Sequence, residues 1–105
     1  MDPKNLIADS SADVAEACRR HNVHRLALFG SAMTERFDSD SSDLDLLVDF
    51  EPMEPGEYAT HFFGLQEDLE ALFGLPVDLV EPMAIRNPYF SQAIEKNQLV
   101  VYEAA

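Results

Sequence analysis

The sequence predicts an α/β or α+β fold, one sheet with helices lying over it, and three observations carry that prediction. Residues Asp43 to Phe50 alternate apolar and mostly acidic side chains, the pattern of a half-buried strand. Tyr58, Phe62, Leu65, Leu69 and Leu72 recur at three and four positions, the stripe of an amphipathic helix. Short apolar runs at 26–29 and 77–80 flank these segments, so strands and helices interleave in the order αβ(α)βαβαβ. A chain of 105 residues with 47% hydrophobic content has room for one such domain, residues 1–105, and for no second.

Each element has a local cause. Ser10 followed by Asp13 resembles a capping box, and Val14, Ala15, Ala17 and Cys18 continue at helical spacing to His21 and Asn22, which places a first helix near 11–22. Leu26 to Phe29 reads as a buried strand that stops at Gly30-Ser31, after which Ala32 to Arg36 can make one or two helical turns. In the strand from Asp43 to Phe50, Leu44, Leu46, Val48 and Phe50 share one face, while Asp43, Asp45, Leu47 and Asp49 share the other. Pro52, Pro55 and Gly56 mark a turn; the long helix follows near 57–73, and Gly74 closes it. Val77 to Val80 is a short strand between Pro76 and Pro82. Asn87-Pro88 pairs an N-cap with a proline in the first turn of a helix to about Lys96, and Leu99 to Tyr102 makes a last short strand or packed tail.

Charge narrows the partners. Seven Lys plus Arg against twenty Asp plus Glu give a formal net charge of −13, which repels phosphate backbones and anionic lipid. Nucleic acid and membrane surfaces are therefore poor direct partners, and a basic protein or a metal-bridged substrate fits better. A salt-rich cytoplasm would also suit a chain whose only lysines are Lys4 and Lys96, beside five arginines. Cys18 is the sole cysteine, so no internal disulfide forms, and no apolar stretch of about 18 residues is present; a cytoplasmic location is expected.

Three features go beyond what folding asks of a sequence. Asp43 and Asp45, two apart on a strand, send both carboxylates from the same face, about 7 Å apart at their Cα atoms. Like charges so placed call for a cation, and an all-oxygen site of this kind suits Mg²⁺, which takes a few carboxylates together with substrate phosphates. Asp78 interrupts the apolar run of 77–80 and reads as a third carboxylate aimed at the same place. Gly30-Ser31, directly after a buried strand, offers close backbone approach, amide donors and a hydroxyl, the requirements of a phosphate site. Each feature alone has a plainer reading: a solvated strand face, a common turn, an exposed edge residue. A calcium loop beginning at Asp38 fits poorly, because its sixth position is Asp43 rather than Gly and its twelfth is Asp49 rather than Glu.

Taken together, Leu28-Phe29-Gly30-Ser31, a spacer, and Ser42-Asp43-Leu44-Asp45-Leu46-Leu47-Val48 resemble the G-S-spacer-D-x-D signature of the polymerase-beta-like nucleotidyltransferase superfamily. Val77-Asp78-Leu79-Val80 and Asn87-Pro88-Tyr89-Phe90 resemble the minimal nucleotidyltransferase (MNT) family within it. The spacer, Ala32 to Ser42, is one residue longer than usual, and Arg36 is its one basic residue able to face a triphosphate. The resemblance implies the nucleotidyltransferase fold, a small mixed β-sheet with helices packed on it. It also implies an antitoxin of the HEPN/MNT type, which transfers AMP from ATP to a tyrosine of a helical HEPN toxin and pairs with that toxin as a hetero-oligomer. In that reading Asp43, Asp45 and Asp78 are the catalytic and metal-binding residues for two Mg²⁺ ions, and Gly30, Ser31 and Arg36 bind the nucleotide. The alternative is a non-catalytic module that neutralises a basic protein by occlusion, since steering by charge requires no chemistry.

The remaining candidates read as structural. His21, His24 and His61 lack a ligand partner at useful spacing and are expected as surface or half-buried side chains. Cys18 falls on an apolar helical face and belongs to the core. Tyr58, Phe62, Phe63 and Phe73 read as packing, while Tyr89 and Phe90 either pack the last helix or border a partner surface.

Overall fold

A computed structural model describes residues 2–34, 37, 38, 42–82 and 86–104. Helices α1 (Pro3–Asp9) and α2 (Ser11–Arg20) lead into strand β1 (Val23–Phe29), and a one-turn 3₁₀ segment, Gly30–Met33, follows it. Then come β2 (Leu44–Phe50), α3 (Pro55–Phe73), β3 (Val77–Val80), α4 (Pro88–Lys96) and β4 (Leu99–Glu103). The sheet order is β3-β2-β1-β4, with β1 antiparallel to both β2 and β4 and β2 parallel to β3. The α/β expectation holds, and the sheet is mixed because α3 carries the chain over between two parallel strands.

Helix α1 was not expected from periodicity. It forms because Asp2 caps it, its side chain accepting from the Lys4 amide at 2.9 Å, with Pro3 opening the first turn. Its presence alters the next boundary: Ser10 ends α1 and starts α2 at once, its backbone at φ −109° and ψ 19°, and it makes no side-chain cap bond. The expected capping box at Ser10 and Asp13 therefore does not form. Strand β1 begins at Val23, three residues before the expected apolar run, because Val23 and half-buried Arg25 pair with Phe50 and Asp49 of β2, exposed His24 lying at an irregularity between them. The C-terminal segment is a true edge strand, β4, paired to β1.

Two apolar layers fix which side of the sheet does what. Leu26, Leu28, Leu44, Leu46 and Val48 face Val14, Cys18, Leu65 and Leu69, forming the main core under α2 and α3. On the other face Ala27, Phe29 and Leu47 pack against Ile94 of α4, with Val80 beside them. Leu47 is thus the apolar member of the acidic face because α4 covers it. Among the described residues no helix is long and apolar enough to cross a membrane.

Candidate active site

The site is built at the end of the sheet where β1 finishes and β2 and β3 begin. In the antiparallel ladder Phe29 stands opposite Asp45, and in the parallel ladder Asp45 stands opposite Asp78. Directly paired residues share a face, so the Asp45 and Asp78 carboxylates leave the α4 side of the sheet from neighbouring strands. Asp43, just ahead of β2, has the same parity and is exposed. The alignment is pinned by main-chain and side-chain bonds: the Leu44 amide donates to Pro76 O at 2.9 Å. From α3, Gln66 Nε2 donates to Val77 O at 2.8 Å and Glu70 Oε2 accepts from the Val77 amide at 2.9 Å. These contacts hold the start of β3, and with it Asp78, against β2.

Gly30 completes the geometry. Its φ of +74° lies in the left-handed region, and a Cβ there would collide with Asp45 Oδ2 and stand 3.2 Å from Asp45 Cβ and Cγ. Only glycine both makes this turn and lets the backbone lie against the Asp45 carboxylate. The half-buried Ser31 follows, its carbonyl accepting from the Thr34 amide at 3.0 Å and from Thr34 Oγ1 at 2.8 Å. Of the helical turns expected over Ala32 to Arg36, the described residues show one 3₁₀ turn, Gly30–Met33, and residues 35 and 36 lie outside them.

Electrostatics agree with the register. The Asp45 carboxyl is raised above its ordinary value, first by burial, then by the charge of Asp78, then by that of Asp43. The charges of Asp43 and Asp78 are thus both felt at Asp45. Among the described residues no three His, Cys, Asp or Glu side chains close tightly enough to hold one ion in common. The oxygen-only donors and their mutual repulsion nonetheless fit a hard divalent cation, which would draw them in and relieve the crowding. Arg36, the expected triphosphate contact, lies outside the described residues. Ahead of Asp43, the Ser42 amide donates to Asp38 O at 2.7 Å.

A cleft of about 270 Å³ opens beside Gly30, with Met33, Thr34, Phe90 and Ile94 among its walls. Tyr89 and Phe90 are 82% and 53% exposed, so α4 docks through Ile94 and leaves its two aromatics at the rim. The sequence singled out these aromatics but not the cleft; its signal was Leu47, whose burial on an acidic face requires a covering helix. A cavity of about 520 Å³ lies at the far ends of β2 and β3. Asp49, Glu51 and Glu81 line it, which disfavours phosphate, and Tyr58 there is pushed up to about 12 by burial and its bond to Glu81. The smaller cleft beside Gly30 is the one that adjoins the carboxylates. Of the histidines, His21 and His61 are half-buried and His24 is exposed, as expected, and the sequence did not show that the first two meet each other.

Comparison with known proteins bears on this site. Residues 12–101 match the family model described as a nucleotidyltransferase domain. A Methanocaldococcus jannaschii protein described as a candidate protein adenylyltransferase is 40% identical over 83 residues, spanning 78% of this chain and 80% of that protein. A solved structure of a candidate minimal nucleotidyltransferase superposes with a TM-score of 0.72 at 31% identity, covering 94% of this chain and 95% of that one. The crystal structure of a toxin–antitoxin with AMP-PNP shares the fold, with a TM-score of 0.64 at 16% identity over 90% of this chain and 73% of that one.

Proposed function

Because the chain belongs to the nucleotidyltransferase domain family, we propose that it is a Mg²⁺-dependent protein adenylyltransferase that moves AMP from ATP to a tyrosine of a helical HEPN-type toxin, acting as its antitoxin. The observation that supports the reading is the ladder register that sets Phe29, next to Gly30, opposite Asp45 and Asp45 opposite Asp78, with a Cβ at Gly30 meeting the Asp45 carboxylate. The −13 charge favours a basic protein acceptor over a polyanionic one. Relatives described as protein adenylyltransferases support the protein acceptor, and the toxin–antitoxin fold match supports the kind of partner.

In this reading Asp43 and Asp45 hold Mg²⁺, two ions in the full complex, with Asp78 completing the set. The cation, when bound, neutralises phosphate charge and stabilises departing pyrophosphate. The protein's own groups do the rest. Gly30 admits the phosphates to the backbone, the Ser31 hydroxyl donates to a phosphate oxygen, and Arg36 is assigned to the triphosphate. The tyrosine oxygen forms a bond to the α-phosphorus as the α–β bridging bond breaks, and Asp78 accepts the phenolic proton.

Asp78→Asn is expected to lower turnover at least about a hundredfold with a modest change in ATP affinity, as for loss of a positioned base. Single-turnover kinetics at varied ATP check this; equal losses in both would assign Asp78 to metal binding alone. The wider test incubates the chain with its helical partner, ATP and Mg²⁺. The partner should gain the mass of one or more AMP groups, pyrophosphate should appear, and neutralisation should outlast removal of this chain because the link is covalent. Neutralisation without a mass shift, weakening steeply with salt, would instead establish the occluding module.

A further inference from the structure

One cluster of titratable side chains has no part in nucleotidyl transfer. It lies at the opposite end of β1 from Gly30, where α2 stops and α3 crosses it, and it joins His21 to His61, Asp68 and Arg20. His21 Nδ1 is 3.2 Å from His61 Nδ1, with the rings edge to face at 72°. On its other side His21 Nε2 is 2.7 Å from Asp68 Oδ2, and Arg20 Nη1 holds that same oxygen at 3.0 Å.

We propose that His21 Nδ1 and His61 Nδ1 form a two-histidine site for a borderline divalent transition-metal ion of the Zn²⁺ class, clasping the end of α2 to α3. Two nitrogens bound to Zn²⁺ at tetrahedral angles are about 3.3 Å apart, given Zn–N bonds of about 2.0–2.1 Å. The observed separation matches that spacing, and the rings meet edge to face at 72° instead of stacking. The distal bond has the form that supports metal-binding histidines. An N–H at His21 Nε2 donates to Asp68, which leaves Nδ1 with the lone pair and holds the ring in place. Without an ion, the two Nδ1 atoms share a hydrogen bond whose direction is set by the tautomers, and with an ion both rings would ligate through Nδ1 as unprotonated imidazole nitrogens.

The facing helix is shaped for this contact. His61, Gly64 and Asp68 fall at i, i+3 and i+7, one face of α3, and all three meet His21. A Cβ at Gly64 would stand 2.7 Å from His21 Cε1. Glycine weakens a helix interior, and here it clears the space into which the half-buried His21 ring fits. Among the described residues no third His, Cys, Asp or Glu completes the set. The two remaining tetrahedral positions fall to water or to a donor from another molecule. Imidazole nitrogens favour Zn²⁺ over Mg²⁺, which prefers oxygen, so this site and the carboxylate site select different ions.

The test titrates Zn²⁺ into the metal-free full chain in saturating Mg²⁺, by calorimetry, and follows the histidine ring resonances by NMR. One Zn²⁺ per chain is expected, shifting the His21 and His61 resonances and leaving those of His24 in place. His61→Ala should weaken binding at least about tenfold and Asp68→Asn should weaken it by about 10- to 100-fold. Asp43→Asn with Asp45→Asn should leave it unchanged. Should His21→Ala fail to fold, His61→Ala on the partly exposed face of α3 carries the test. The proposal is overturned if Zn²⁺ does not saturate the wild-type chain under Mg²⁺, if His61→Ala binds as well as wild type, or if the double aspartate variant loses the site.

Discussion

Asparagine at both Asp43 and Asp45 should abolish nucleotidyl transfer, by about a thousandfold or more, while the melting temperature of the metal-free chain stays level or rises. The activity loss follows from magnitude: a cation that stabilises transition-state charge contributes several kcal/mol, and each 1.36 kcal/mol is about tenfold in rate. The stability gain follows from sign. Asp45 is raised above its ordinary value by burial and by Asp78 and Asp43, so its folded state holds the proton more tightly than its unfolded state does. Such a group contributes stability that is fully present below its unfolded value and is lost as pH rises through the folded one. At neutral pH the metal-free wild type carries this strain and the variant does not. Melting curves from acid to neutral pH should therefore show the variant's advantage opening as pH rises and closing again when Mg²⁺ is added to wild type. Retained transfer would remove these aspartates from the chemistry, and a large fall in melting temperature would make them structural.

The legible part of this molecule was the part that depends on local spacing. The alternation at 43–50, the 3.6-residue stripe of α3, the Gly74 stop and the Asn87-Pro88 start all act within a few residues, and each appears as expected. In α4, Asn87 Oδ1 accepts from the Tyr89 amide at 2.9 Å and the Phe90 amide at 3.3 Å. Gly74, at φ +68°, ends α3. What the sequence hid depends on partners distant along the chain. His21 and His61 are forty residues apart, and only the crossing of α2 over α3 brings them into contact. Gln66 and Glu70 look like the polar side of α3, yet they bond both ends of Val77 and so fix Asp78. Helix α1 was missed because it is seven residues long with little stripe to read, and its cap, Asp2, lies two residues from the start. The aspartates stood out because Asp45 and Asp78 interrupt otherwise apolar strands, a local inconsistency of the kind expected at functional sites.

The register argument can be broken at one atom. Gly30→Ala adds a single methyl group, and two penalties follow from it. The backbone at φ +74° is strained for any L side chain, a cost of about 1–2 kcal/mol. The methyl also lands on the Asp45 carboxylate, which must move, because the neighbour is a short side chain rooted in a central strand. Gly74→Ala separates the two effects. Gly74 has a similar φ of +68° but would meet nothing within 4 Å, so it incurs the strain without a collision. Gly74→Ala should therefore lose about 1–2 kcal/mol of stability and Gly30→Ala at least as much, measured by denaturant unfolding. Only Gly30→Ala should also lose transfer activity, by about a hundredfold, since a misplacement of about 1 Å at a reacting centre costs that much. Equal activity in the two variants would mean that the approach of Gly30 to Asp45 has no part in catalysis. A loss confined to Gly30→Ala, measured where both variants are fully folded, would locate the phosphate turn and the metal-binding carboxylate at the single contact where β1 ends against β2.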